Sequence, residues 1–365
     1  MKLLIIANND VGLFQFRSEL IQELLKKHEV TIALPYGAMV DHLVAMGCSF
    51  IDTPLERRGM NPITDLQLFM RYVAILKEYQ PDLVITYTIK PNIYGNLACR
   101  LLHIPSAANI TGLGTAFQKG GWLQRFVTWL YTLALKQTKV VFFENHTNLS
   151  TFVQLGIVSE DRCCLLNGAG VNLEKFPYTS YPEQLQPIRF LFVGRVMREK
   201  GILELLEVMN RLYAAGVPCS LDILGGMEES LSELLTTGTK QGWLRYHGFV
   251  TDVRPYIAQC HCFVLPSYHE GMANTNLECA AMGRPLITSN TPGCKEAVVD
   301  NVSGFLCESQ NADSLYDAMM RFCSLTTQER QKMGLAGRAH VEAVFDKKAV
   351  IAQTLLALET AGSQV

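Results

Sequence analysis

Short apolar runs alternate with amphipathic segments along this chain, and the alternation is played out twice. The first series begins with "KLLIIA" and continues through a helical pattern over residues 14–27, "EVTIAL", a helix near 39–46, and "CSFI". A longer helix over 63–79 leads to "DLVITY". A helix near 92–102 leads to "PSAANI", and a helix after Trp122 leads to "KVVFFE". Strands joined through helices form parallel sheets buried on both faces, because a parallel crossover needs about a dozen residues or more. Residues 170–187, "GVNLEKFPYTSYPEQLQP", carry three prolines and no periodicity, which reads as an interdomain linker. The rhythm then restarts with "IRFLFVG", a helix over 202–215, "SLDILGG", "LRYHGFV", "CFVLPS" and "PLIT", and several helices close the chain after Asn311.

This pattern predicts an α/β protein of two doubly wound, Rossmann-like domains facing a central cleft. The expected boundaries are 1–170, a linker at 171–187, and 188–345. A last helix over 346–365 would pack back toward the first domain. A length of 365 residues is too great for one core and fits two. The net charge of −2 gives no electrostatic footprint for nucleic acid. Eleven scattered cysteines without a CxxC pair fit a reducing compartment. Cys260 and Cys262 alternate within an apolar run and read as buried inert thiols, so no metal site is expected. The N-terminal apolar run is too short for a signal peptide, and no stretch approaches the ~20 apolar residues that span a bilayer. The expected location is the cytoplasm.

In open parallel sheets ligands bind beyond the carboxyl ends of the strands, so the strand-exit loops carry the chemistry. After "RFLFVG" stand Arg195 and Lys200, two cations at a strand-to-helix turn, which suit a diphosphate. A solvated loop with ordinary surface charges is the alternative. The next strand ends in Gly225-Gly226, and "YHGFVTD", with Gly248 and Val250, offers backbone groups to a flat base or simply forms a tight strand exit. After "CFVLPS" comes "YHEGMANTNLE". Thr275 and Glu278 match a capping box, with Glu278 at the third helical position. Glu270 lies in the loop beside the small or permissive positions Gly271, Met272, Ala273 and Asn274, and both carboxylates border the same helix start.

Together these residues resemble the retaining glycosyltransferases of the large group-one family (family four) with the GT-B architecture. The resemblance rests on Glu270 and Glu278 separated by seven residues, on Arg195 and Lys200-Gly201, and on "PGCKEAVVDNVSGFL" after the following strand. It implies that Arg195 and Lys200 hold the donor diphosphate and that Glu270 touches the donor sugar near the reacting face. It implies too that the amides of Gly271, Met272 and Ala273, with Asn274, meet phosphate or sugar, that Glu278 binds the ribose, and that Gly248 and Val250 receive the base. The implied donor is a UDP-sugar, and no metal is expected because the cations and the helix end neutralise the leaving group.

The first domain would then bind the acceptor. Gly12 would let the backbone approach the donor phosphates, while Arg17, Lys90 and Thr111 are acceptor candidates; packing contacts are the alternative for Arg17 and Lys90. Within the family the chain resembles bacterial enzymes that add N-acetylhexosamines to undecaprenyl-diphosphate-linked sugars. One departure is the absence of a His in the loop occupied by Asn109-Ile110-Thr111-Gly112, where many relatives carry one. Residues 120–139 hold Trp122, Phe126 and Trp129 with Arg125 and Lys136, a set that would either rest on the inner-membrane surface or pack as a core helix. Two other functions share the fold: a UDP-sugar 2-epimerase and a non-catalytic sugar-nucleotide-binding partner.

Overall fold

The computed structural model describes residues 1–55, 61–114, 117, 121–183, 186–228 and 231–362. The chain divides into two compact units, Met1–Ala169 with Val350–Val365, and Gly170–Ala349.

The first unit contains β1 (Lys2–Ile6), α1 (Asp10–Leu25), β2 (Glu29–Leu34), α2 (Val40–Ala45), β3 (Ser49–Asp52), α3 (Pro62–Tyr79) and β4 (Leu83–Tyr87). A π-turn (Pro91–Gly95) follows, then α4 (Asn96–Leu102), β5 (Ser106–Ile110), α5 (Gly121–Ala134), β6 (Val140–Phe143), α6 (His146–Gln154) and β7 (Cys163–Leu165). Its parallel sheet has the order β3-β2-β1-β4-β5-β6-β7. Alternate residues of β1 serve opposite faces. Leu3 and Ile5 pack with Leu20 and Leu24 of α1, whereas Leu4 and Ile6 pack with Tyr72 and Leu76 of α3. The helices start where side chains satisfy their first amides: Asn9 caps α1, Asn61 with Pro62 opens α3, and Asn145 caps α6.

The second unit contains β8 (Ile188–Val193), α7 (Ile202–Ala214), β9 (Cys219–Leu224), α8 (Ser232–Gln241), β10 (Leu244–Tyr246), α9 (Arg254–Gln259) and β11 (Cys262–Leu265). It continues with α10 (Asn274–Ala281), β12 (Leu286–Ser289), β13 (Gly304–Cys307), α11 (Ala312–Ser324) and α12 (Thr327–Val344). The final helix, α13 (Lys347–Gly362), starts in this unit, and its Val350 and Leu358 belong to the core of the first. The second sheet is also parallel, in the order β10-β9-β8-β11-β12-β13.

Three sequence expectations change. The proline-rich segment is not a free linker: Val171 and Phe176 lie in the second core, and the Tyr181 hydroxyl donates to the His261 carbonyl at 3.0 Å. Apolar residues spaced among prolines have anchored an irregular segment. The helix expected at 92–102 begins as the π-turn, because Asn92 and Asn96 spend their side chains on Thr86, the Asn109 carbonyl and the backbone of the turn itself. The capping box at Thr275 and Glu278 does not form. The helix starts two residues earlier, with Ala273 as N-cap, and Thr275 sits inside the first turn. A capping box does form at Thr326 and Glu329. Cys260 and Cys262 are fully buried, and desolvation pushes the Cys260 thiol up to about 12.

Candidate functional site

In the second sheet the chain leaves β8 toward β9 on one side and β11 lies on the other, so β8 and β11 mark the topological switch point. Open α/β sheets bind ligands outside the carboxyl ends of the strands at such a point. Arg195 and Lys200 come from the β8 exit; Ser267 and Glu270 come from the β11 exit.

Backbone hydrogen bonds lock the two loops together. The Tyr268 amide donates to the Glu199 carbonyl at 2.9 Å, and the Ser267 hydroxyl lies 3.1 Å from the same oxygen. Gly201 enters α7 at φ +72, and a Cβ there would sit 2.0 Å from the Pro266 carbonyl oxygen. The close approach of the loops therefore requires glycine. We expect Gly201→Ala to lower the urea midpoint, corresponding to roughly 2 kcal/mol or more. Gly242→Ala shares the positive φ (+83) but meets open space, so it isolates the collision. Equal losses in the two variants would show that the loop contact contributes nothing.

The lock brings Lys200 Nζ into a short ion pair with Glu270 Oε1, to which Ser267 Oγ also donates at 2.9 Å. The Lys200 and Glu270 side chains are only 17% and 14% exposed, and Ser267 is fully buried. This geometry holds a cation and a carboxylate at a fixed, partly desolvated position, where charge acts more strongly than in water. Desolvation also lowers the His269 pKa, which favours a neutral imidazole beside the pair.

Arg195 reaches outward and pairs with Glu228, NH1 to Oε2 at 3.1 Å. The partner is in place because the β8 and β9 exits bridge at Val196 and Met227. The Gly248 carbonyl accepts from the Gly225 amide at 2.7 Å, so the β10 exit is tied to the β9 exit as well. Val250 is half-buried beside it.

The α10 start differs from the sequence expectation in one respect. The Ala273 amide already donates to the Gly293 carbonyl at 2.7 Å and is not free for a phosphate. That contact fixes the loop, and it explains why the helix begins at Asn274. Met272 and Ala273 are buried, while Asn274 is half-buried. Gly271 is buried in the same turn. Released from capping, the Glu278 side chain has no hydrogen-bond or ion-pair partner among the described residues. Desolvation pushes its carboxyl up to about 7, against the opposing pull of Lys175 and Lys347. A carboxyl perturbed in this way by burial is a candidate for a ligand site.

The first-unit candidates are engaged within their own unit. Arg17 is buried, pairs with Glu144 at 2.6 Å and lies 5.2 Å from the centre of the Tyr87 ring. Lys90 pairs with Asp65 at 2.8 Å, and Asp65 also accepts from Tyr94 at 2.9 Å. The packing alternative therefore describes Arg17 and Lys90 as they stand. The Gly12 amide is taken by the Asn9 cap at 2.6 Å, which removes it as a phosphate donor. Thr111 is half-buried and makes no side-chain hydrogen bond among the described residues. Asn109, in the loop where a His was missing, is buried and donates to the Thr86 carbonyl at 3.3 Å.

The sequence reading gave no role to Ser267, Glu228, His269 or Thr88. Ser267 had one signal, a hydroxyl between a strand end and Glu270. Thr88 had none: it is a β-branched residue at φ +75 immediately after β4, a strained position of the kind that clusters at ligand sites. Among the described residues no group of three or more His, Cys, Asp or Glu could hold a metal ion, and no helix is long and apolar enough to cross a membrane.

Residues 187–324 match the family described as glycosyl transferases group 1, and residues 2–145 match that described as glycosyl transferase 4-like. The chain is 27% identical to the N,N'-diacetylbacillosaminyl-diphospho-undecaprenol alpha-1,3-N-acetylgalactosaminyltransferase of Campylobacter jejuni, over 98% of each chain. It is also 27% identical to the UDP-Gal:alpha-D-GlcNAc-diphosphoundecaprenol alpha-1,3-galactosyltransferase of Escherichia coli, over 82% of this chain and 81% of that one. Anabaena HepE, solved in complex with UDP-glucose, shares the fold at a TM-score of 0.80 and 17% identity, covering 99% of this chain and all of that one.

Proposed function

The chain belongs to the group 1 glycosyltransferases, and from that premise we propose that it is a retaining, metal-independent enzyme moving an N-acetylhexosamine or hexose from a UDP-sugar. The acceptor is a hydroxyl of an undecaprenyl-diphosphate-linked glycan in surface polysaccharide or glycoconjugate synthesis, met at the cytoplasmic face of the membrane. The observation that carries the reading is the Lys200–Glu270 pair at the switch point, with Arg195 on the same β8 exit and Glu278, which has no hydrogen-bond or ion-pair partner among the described residues, on the helix that follows Glu270. In this reading Lys200 and Arg195 turn from their carboxylates to the donor diphosphate. They neutralise it as the sugar–phosphate bond breaks, which is the work a metal would otherwise do.

Glu270, released by Lys200 and still held by Ser267, faces the donor sugar. Glu278 accepts hydrogen bonds from the ribose hydroxyls. Gly271, Met272, Asn274, Gly248 and Val250 complete the donor pocket, and Lys90, Arg17 and Thr111 stand on the acceptor side. The departing diphosphate takes the proton of the attacking hydroxyl on the same face of the sugar, which retains the anomeric configuration. Both family matches are to glycosyltransferases, so the epimerase and non-catalytic alternatives gain no support.

The test combines nucleotide binding with product stereochemistry. UDP, but not GDP, CDP or ADP, should raise the melting temperature, and the shift should survive EDTA. At about 100 times its dissociation constant UDP adds roughly 2.7 kcal/mol. Transfer from UDP-N-acetylgalactosamine, UDP-N-acetylglucosamine or UDP-galactose to a polyprenyl-diphosphate-linked sugar should give an α-anomer by NMR. A β-linked product, or a shift abolished by EDTA, would overturn the mechanism.

A further inference from the structure

We propose that the outer faces of α3 and α5 form a surface that seats the first unit on an anionic lipid bilayer, on either side of the turn that carries Lys90. The proposal rests on the reading of the acceptor as lipid-linked.

Each helix buries one side and leaves an apolar stripe on the other. Leu68, Tyr72 and Leu76 of α3 face the core, as do Val127, Tyr131 and Ala134 of α5. Ile63, Leu66 and Met70 of α3, and Trp122, Phe126 and Trp129 of α5, are between 45% and 75% exposed. The spacings of three, four and seven residues put each trio on one helix face. The rings of Phe126 and Trp129 stack with their centres 6.2 Å apart, which makes a continuous aromatic wedge in solvent.

Topology places both stripes at one edge. α3 follows β3 and α5 follows β5, so their first turns lie at the carboxyl edge of the parallel sheet, as does the π-turn after β4. Both helices pack against that π-turn. The stripes thus flank the segment with strained Thr88 and with Lys90, which the reading above puts on the acceptor side. Arg100 fixes the far end of α5 by donating to the Leu133 carbonyl at 2.8 Å.

Charge decides what covers the surface. From Leu83 to Phe143 the sequence has no Asp or Glu, whereas it has Lys90, Arg100, Lys119, Arg125, Lys136 and Lys139. Arg125 and Lys136 are exposed on and just after α5, and Arg71 is exposed beside Met70 on α3. Asp65, in the first turns of α3, is buried and bound to Lys90 and Tyr94. A second copy meeting this face across a two-fold axis would set like charges against one another. An anionic bilayer complements the cations, and tryptophan with aliphatic side chains at the headgroup boundary supplies the apolar part.

The experiment is flotation of the full chain with phosphatidylglycerol-containing vesicles and with phosphatidylcholine vesicles. The wild type should float with the first, less so at high salt, and poorly with the second. Trp122→Ser/Phe126→Ser/Trp129→Ser should cut vesicle binding about tenfold or more. Ile63→Ser/Leu66→Ser/Met70→Ser should weaken it, and Arg125→Glu/Lys136→Glu should remove the preference for anionic lipid. All six aromatic and aliphatic positions already face solvent, so each variant should melt near the wild type. Transfer to a vesicle-embedded acceptor should fall with binding, while transfer to a short-chain, water-soluble acceptor should hold. Wild type that does not float, variants that float unchanged, or a dimer dispersed by the aromatic substitutions would overturn the proposal. Loss of transfer to every acceptor with flotation intact would instead overturn the enzymatic reading and leave the surface standing.

Discussion

Lys200→Ala is expected to lower kcat for sugar transfer by roughly 10²–10³, the effect of removing one preorganised charge donor from a transition state. It should also cost stability, because Lys200 neutralises Glu270 in the free protein. Breaking a buried pair costs about 3–5 kcal/mol. Side chains exposed by 17% and 14% keep some hydration, and Ser267 still donates to the carboxylate, so roughly 2 kcal/mol is the expected loss. The two effects separate in Lys200→Ala/Glu270→Gln. Removing both charges should return the melting temperature close to wild type, while transfer stays lost. If the double variant recovers activity with stability, the pair is a structural brace and the catalytic assignment fails. If Lys200→Ala transfers sugar within a few-fold of wild type, the leaving group is neutralised elsewhere.

The second large effect is a pH dependence centred on Glu278. Its carboxyl rises from an ordinary 4.5 to about 7, chiefly through desolvation. The ionised form accepts at both oxygens and binds ribose hydroxyls much the more strongly. About one tenth of the carboxyl is ionised at pH 6 and nine tenths at pH 8, so the apparent dissociation constant of a UDP-sugar should fall about tenfold across that range. A UDP-sugar suits the measurement because its diphosphate diester keeps its charge throughout. Calorimetry should show a proton released on binding at pH 6, and Glu278→Gln should abolish both the release and the slope.

Stability of the free protein should move the opposite way. The folded carboxyl holds its proton more tightly than the unfolded one. The associated stability is therefore complete below pH 4.5 and lost as pH rises through 7, by about 3 kcal/mol when titration is complete. Affinity flat between pH 6 and 8 would remove Glu278 from the ribose.

Much of this was legible in the residues. The alternation of apolar runs and amphipathic segments located most of the strands, because a doubly covered parallel strand must be apolar throughout. Short or weakly periodic elements were not visible: β7 (Cys163–Leu165), β13 (Gly304–Cys307) and α6 (His146–Gln154) carry too little pattern to separate from loops. In the site, Arg195, Lys200, Glu270 and Glu278 stood out by residue type and position after a strand. Which of them touch did not. Lys200 meets Glu270, seventy positions away, because β8 and β11 are neighbours in the sheet and Gly201 admits the Pro266 backbone.

The sequence by itself determined two parallel α/β layers and the set of charged groups at their strand ends, since burial of apolar strands and exclusion of charge from cores are properties of local composition. Only the tertiary structure decided the partners. It tied the Ala273 amide to Gly293, so that Thr275 does not cap and Glu278 has no hydrogen-bond or ion-pair partner among the described residues. It also gave Arg17 to Glu144 and Lys90 to Asp65, and it turned Trp122, Phe126 and Trp129 outward rather than into a core. Each outcome depends on which backbone passes within hydrogen-bonding or packing distance, and that is fixed by strand order rather than by neighbours along the chain.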